Sequence, residues 1–317
     1  MDVNPMDRRS TKHILRTTLI CLSFSMCLSS TAHAAVRAMK CAAAKDGATE
    51  TAVKENLEWH TNYAAAHAKA KQEQRMLLVN FVPKGESAAQ RQLEDTIEKD
   101  RSLQRALRSM VLLRLPRDYK SEASEYDGPL VEHSAFEHLA GGTGIAIVDL
   151  KHPGTPYYGE VVTALPFSRG KYYRWRTDQF KAALGLPPGT ITQRTMIWAV
   201  RIHPEAPAST AGRCHEALEA AAAKHSEYQA RIQVQGHQHW ESRYHQVRSG
   251  TSAGEASEVV AESWPNQNLI DSCIDCVNSW RHSPGHWGAV RGRHRLFGYD
   301  IRRGRNGIWY GTGIFAN

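Results

Sequence analysis

"LEWHTNYAAAHAKAKQEQRMLLVNFV", Leu57 to Val82, decides the first half of the fold. Its Ala- and Lys-rich part reads as an amphipathic helix, and the apolar run "MLLVNFV" that follows has the length of a strand. Working outward, "ESAAQRQLEDTIEKDRSLQRAL" is helical and "MVLLRLP" is a second strand. "FEHLAGGTGIAIVDL" ends a helix at Gly141-Gly142 and starts a third strand. Helices alternating with apolar strands imply α/β layers. Residues 184–194, "LGLPPGTITQR", place Pro187-Pro188-Gly189 between two well-patterned regions, and adjacent prolines cannot continue a helix. This predicts a domain over 55–183 and a second over 184–317.

The order helix, strand, helix, strand, with "LLVNF" entering a turn and a helix, resembles thioredoxin-like domains. In active members of that family a Cys-x-x-Cys opens the helix, where the helix N-terminus lowers a thiol pKa. Here those positions are Glu86 and Ala89, and Gly144 stands where the family usually holds a cis-proline. The resemblance therefore implies a degenerate thioredoxin-like domain, a scaffold or binding module without the redox site.

The beginning of the chain is set apart from the fold. Arg8, Arg9, Lys12 and Arg16 precede the uncharged run "TTLICLSFSMCLSS", and "AHA", Ala32 to Ala34, has the small-x-small form of a cleavage site. Residues 1–34 read as a secretion signal and 35–54 as an Ala-rich linker. The expectation is a secreted or periplasmic protein with no transmembrane segment after signal cleavage. Cys41, Cys214, Cys273 and Cys276 would then meet an oxidising compartment, where four cysteines allow three pairings. The formal net charge is +8, and Arg281, Arg291, Arg293, Arg295, Arg302, Arg303 and Arg305 face only Asp300 late in the chain. For an exported protein this favours a membrane surface or an acidic glycan over nucleic acid as an anionic partner, while a solvated arginine-rich loop accounts for it equally.

Of 16 histidines, nine fall between His203 and His294. "HEALEAAAAKHSEYQARIQVQ" is a long helix whose inner face can carry Leu218, Ala222, His225 and Ile232. "QNLIDSCIDCVNSW" is another, with Cys273, Cys276 and Trp280 at helical spacing. The tail "RLFGYDIRRGRNGIWYGTGIFAN" reads as a hairpin around Gly-Arg-Asn-Gly. Between them, "VNSWRHSPGHWGAV" puts two histidines and two tryptophans around Ser-Pro-Gly. Pro284-Gly285 is expected to end a helix sharply and to aim His286 over the sheet, with Trp280 and Trp287 walling the pocket.

These segments resemble the CAP superfamily (SCP-like, cysteine-rich secretory domains), particularly its bacterial members. "VNSWRHSPGHWGAV" is similar to the family's Trp-x-x-Ser-Pro-Gly-His and gives His286. "AAAAKHSEYQARIQVQGH" leads to the first cleft histidine, His237, and "VVAESW" stands for Gly-Glu-Asn, giving Glu262. The resemblance implies an α-β-α sandwich, so the whole chain is expected to combine α/β and α+β architecture. It also implies a ligand cleft of His237, Glu262 and His286 with Ser283 and Trp287 beside them. No second cleft carboxylate is found near Trp280, where Asn278, Ser279, Arg281 and His282 stand. His239 competes with His237 as the first ligand.

Two neutral imidazoles and a carboxylate suit a divalent metal such as zinc, so His237, Glu262 and His286 are the candidate metal ligands. The same trio can instead form a hydrogen-bond network that fixes helix-sheet packing. Cys273 and Cys276 lie mid-helix on the apolar stripe, where the helix field that activates thiols is weak. They read as core thiols, with a disulfide or redox role as alternatives. The leading expectation is an exported, non-catalytic binding or interaction protein whose cleft takes a lipid, glycan or peptide. Its rivals are a metal-dependent hydrolase working through the same cleft and a thiol-linked protein using Cys273 and Cys276.

Overall fold

The run "LLVNFV" becomes the central strand of a sheet. The structure, a computed structural model, describes residues 57–121 and 126–317. Its first part runs β1 (Trp59–His60), α1 (Tyr63–Gln72), β2 (Leu77–Val82), α2 (Ala88–Lys99), α3 (Arg101–Arg108) and β3 (Val111–Pro116). Two short 3₁₀ helices, Leu130–Glu132 and Ser134–Leu139, then lead to β4 (Gly144–Val148), β5 (Val161–Pro166) and α4 (Thr177–Leu184). The strand order is β1-β3-β2-β4-β5. The first three pair in parallel, and β4 and β5 run antiparallel. Alternation along β2 sends Leu77, Val79 and Phe81 against Ala66, Ala70 and Phe136, while Leu78 enters the core on the other face.

The segment read as one helix after β2 is two. Asp100 leaves the helical conformation, and its Oδ1 accepts the N–H groups of Ser102 (2.8 Å) and Leu103 (3.0 Å). A carboxylate is a strong N-cap, so it starts α3 afresh. Glu86 precedes and Ala89 follows Ser87, the N-cap residue of α2.

The second part runs α5 (Ile191–Arg201), β6 (Arg213–Cys214), α6 (Glu216–Ile232), α7 (Trp240–Thr251) and β7 (Ala256–Glu262). It continues through α8 (Leu269–Arg281) and α9 (Pro284–Arg291) to the hairpin of β8 (Leu296–Arg303) and β9 (Trp309–Ala316). The sheet order is β6-β8-β9-β7, with β7, β9 and β8 antiparallel. Helices cover both faces. Phe297, Tyr299, Ile301 and Phe315 pack with Cys273, Val277 and Trp280 of α8, and Leu296 and Ile314 pack with Leu218 and Ala222 of α6. The class is mixed α/β. None of the described helices is long and apolar enough to cross a membrane.

The described residues cluster as one compact unit, and one apolar core contains Leu78, Ile145 and Phe180 from the first part with Trp198, Val259 and Phe315 from the second. Two buried charges tie the parts together. Arg194 of α5, only 4% exposed, donates to the carbonyls of Val162 (3.0 Å) and Pro187 (2.6 Å) and to Thr163 Oγ1 (3.0 Å). Burial lowers its pKa to about 10, which still leaves it charged at neutral pH. Asp271, in the first turn of α8, accepts the backbone N–H groups of Lys171 (2.9 Å), Tyr172 (2.7 Å) and Tyr173 (2.9 Å).

Candidate functional site

His237 is set by a loop that α6 holds from below. The helix ends at Gln233 in the left-handed conformation, and Gly236 has φ +158°, a backbone state that glycine adopts at little cost. Gly236 donates its N–H to Gln229 Oε1 (3.1 Å), and its carbonyl accepts from His225 Nε2 (2.8 Å). Both helix residues are buried, so the loop is fixed one residue before His237.

His286 comes from the other side. Pro284-Gly285 does not end a helix as expected. Helix α8 closes at Arg281, and Pro284 occupies the first turn of α9, where its missing N–H costs nothing. His286 thus stands in the first turn of a new short helix. Its Nε2 lies 3.3 Å from Nε2 of His237.

The carboxylate behind this pair is Glu258, not Glu262. Glu258 Oε1 lies 2.9 Å from Nδ1 of His237, and both its oxygens meet the guanidinium of Arg243 (2.7 and 2.8 Å). Its side chain is almost wholly buried, and the guanidinium offsets the cost of burying it. Glu262 lies four residues further along β7, about 13 Å on at strand rise. It is exposed, in register with Tyr310, and makes no hydrogen bond or ion pair with either imidazole. The set His237, Glu262, His286 is therefore corrected to His237, Glu258, His286. Alternation along the strand puts Glu258, Val260 and Glu262 on one face, and what singles out Glu258 is its burial against Arg243.

Since a carboxylate can only accept, the Glu258 contact puts a proton on Nδ1 of His237, so Nε2 is the nitrogen whose lone pair is free when the ring carries one proton. Burial, with His237 as a smaller cause, lowers the pKa of His286 and favours its neutral form. His225 is also held low, chiefly by burial, and stands 3.9 Å from Glu258. The other expected neighbours are elsewhere. Trp287 is buried with its Nε1 donating to Glu205 Oε2 (2.9 Å) and its ring against His203, so it anchors α9 rather than walling the pair. Trp280 is likewise buried in the core. Ser283 is the N-cap residue of α9 without a side-chain capping bond. His239 turns to the Tyr228 hydroxyl (3.2 Å) and does not compete with His237.

Cys273 and Cys276 are free, fully buried thiols, and burial pushes both upward, away from the thiolate. Cys214 is free as well, and Cys41 lies outside the described residues, as do the leader and the linker.

Among the described residues no group of three or more His, Cys, Asp and Glu side chains is arranged to hold a metal ion. The pair nevertheless has a suitable span. Two nitrogens about 2.0–2.1 Å from a tetrahedral zinc stand about 3.3–3.4 Å apart, and a carboxylate on the far nitrogen of a ligating imidazole is the usual support.

Compared with known proteins, the chain matches no protein-family model and no curated protein.

Proposed function

We propose that this is an exported, non-catalytic binding protein whose recognition centre is the pair His237 and His286, backed by Glu258 and Arg243. The observation that carries the reading is the facing of two imidazole Nε2 atoms at 3.3 Å, one of them oriented by a buried carboxylate. A buried ion pair spent on orienting a half-exposed histidine is costly as a packing device alone. Two further features support a CAP-like second part: the Ser-Pro-Gly-His segment at the start of α9 and the helices on both faces of its sheet. The strand order of the first sheet supports a thioredoxin-like scaffold, with Glu86 and Ala89 in place of cysteines. The charged leader followed by an apolar run supports export.

Glycan, lipid or peptide ligands share acidic or carbonyl oxygens that such a pair can meet. A divalent ion such as zinc would be held through Nε2 of His237 and Nε2 of His286, with water or ligand completing its shell, and would supply a positive centre for an anionic group. Calorimetric titration of the full chain with zinc tests this. One ion per chain is expected, lost in both His237→Ala and His286→Ala and weakened in Glu258→Gln. Equal zinc binding by wild type and His286→Ala, with unchanged melting, would remove the pair from the site.

A further inference from the structure

The loop between β5 and α4 and the loop after β7 meet in a surface feature that the histidine pair does not use. Trp264 is 63% exposed, the most exposed large apolar side chain among the described residues. The ammonium of Lys171 lies 5.6 Å from its ring centre and 4.9 Å from that of Tyr172. Both loops are fixed from beneath. Asp271 takes three successive N–H groups of the first loop, and a side chain at Gly170 would run into that carboxylate. Asp275 Oδ2 takes the N–H of Trp264 (3.1 Å). The nature of the anchor matters here: an indole on an untethered loop is ordinary, whereas one whose backbone is held by a helix carboxylate and follows buried Ser263 is displayed in a fixed place.

Charge gives the class of ligand. Arg169 and Lys171 are exposed and form no ion pair, and the guanidinium of Arg174 is spent on the carbonyls of Gly170 and Tyr173 (both 2.6 Å). Asp271 and Asp275 accept backbone amides and form no ion pair with these two cations, and neither does the exposed Glu262. The feature therefore sets a flat apolar face beside cations that no carboxylate pairs with directly. A pyranose ring presents a face of C–H groups that stacks on an indole, and a ring carboxylate at its edge meets an ammonium or guanidinium. A membrane fits less well, because the other exposed large apolar side chains, Tyr126, Ile232 and Val234, lie in other segments, and a single indole buries little area.

We infer that Trp264, Lys171 and Arg169 form a binding site for an acidic glycan, separate from the histidine pair. Glu258 and Trp264 are six residues apart along an extended path, on the order of 20 Å. The site takes a carboxylate-bearing pyranose, the ring on Trp264 and the carboxylate on Lys171 and Arg169.

The test titrates the full chain with a tetramer of galacturonic acid, the fully methyl-esterified tetramer, an oligo-aspartate peptide, and phosphatidylcholine vesicles containing phosphatidylglycerol. The acidic tetramer is expected to bind, with affinity falling about tenfold in Trp264→Ala and several-fold in Lys171→Ala or at raised salt. Trp264→Phe restores part of the loss, and His286→Ala binds as wild type. The idea is overturned if the acidic tetramer does not bind at millimolar concentration. It is also overturned if the ester binds equally well, if only peptide or vesicles bind, or if Trp264→Ala, melting as wild type, binds unchanged.

Discussion

The two sheets treat buried polar groups differently. On the face of the first sheet that points to α2 and α4, Asn80 is fully buried with neither side-chain nitrogen nor oxygen partnered. Buried atoms of Arg114, its neighbour on β3, and of Gln90 and Gln179 in the same part of the chain are also without partners. On the α6 face of the second sheet most polar groups are joined in one chain, although buried Asp300 Oδ1 and Glu219 Oε1 lack a hydrogen-bond partner. Ser226 Oγ donates to the Asp300 carbonyl (3.1 Å) and lies in hydrogen-bond contact with the Thr312 hydroxyl (2.9 Å), and Gln229 Nε2 donates to Thr312 Oγ1 (3.1 Å). Gln229 then passes to Gly236, and Glu258 joins Arg243 and His237. The joined face is the one that ends in solvent-accessible imidazoles. A polar interior that is wired to the surface supports recognition, whereas isolated buried amides only tax stability.

Four measurements can break or sharpen this contrast. The largest effect is expected from Glu258→Ala, which leaves Arg243 buried without its carboxylate and should cost about 3–5 kcal/mol in denaturant unfolding. A loss below about 1 kcal/mol would show that Glu258 is not part of a tight network. Asp271→Ala removes the acceptor of three N–H groups and should cost about 3 kcal/mol, read the same way. Asn80→Leu should go the other way, gaining about 1 kcal/mol by removing an unpaired amide. A destabilised Asn80→Leu would mean that the amide is satisfied after all.

The smallest effect concerns pH. Burial raises the pKa of Asp300 above the ordinary carboxylate range, against the opposing pull of Arg302. A carboxyl group whose folded pKa is raised binds more protons in the native than in the unfolded state. Stability from this group therefore declines as pH climbs from near 4 toward the raised value. Melting temperatures across that interval should fall less steeply in Asp300→Asn than in wild type.

Much of the architecture was readable because period and length agree in it. "LLVNFV" is apolar but for Asn80 because it is a central strand covered on both faces, and "MVLLRLP" and "GIAIV" largely repeat the pattern beside it. The long helix at Glu216–Ile232 and the closing hairpin followed from spacing and turn residues. The break at Asp100 was missed since a capping aspartate inside a helical pattern looks like one more polar surface residue. At the site, His237 and His286 were legible from "GH" and "SPGH", and the structure brings them together. Glu258 was not, because two glutamates four residues apart on one strand have the same parity, and only the position of Arg243 distinguishes them. Arg243 itself has no local signal in "WESRYHQV", since the strand it meets lies 15 residues on.

Asp271 carries one more consequence. A chain cleaved at Pro187-Pro188 would leave this carboxylate on one fragment and the three amides it binds on the other. In separate pieces water would satisfy those groups, so any re-association would be driven by the shared apolar core, with the aspartate fixing how the pieces fit.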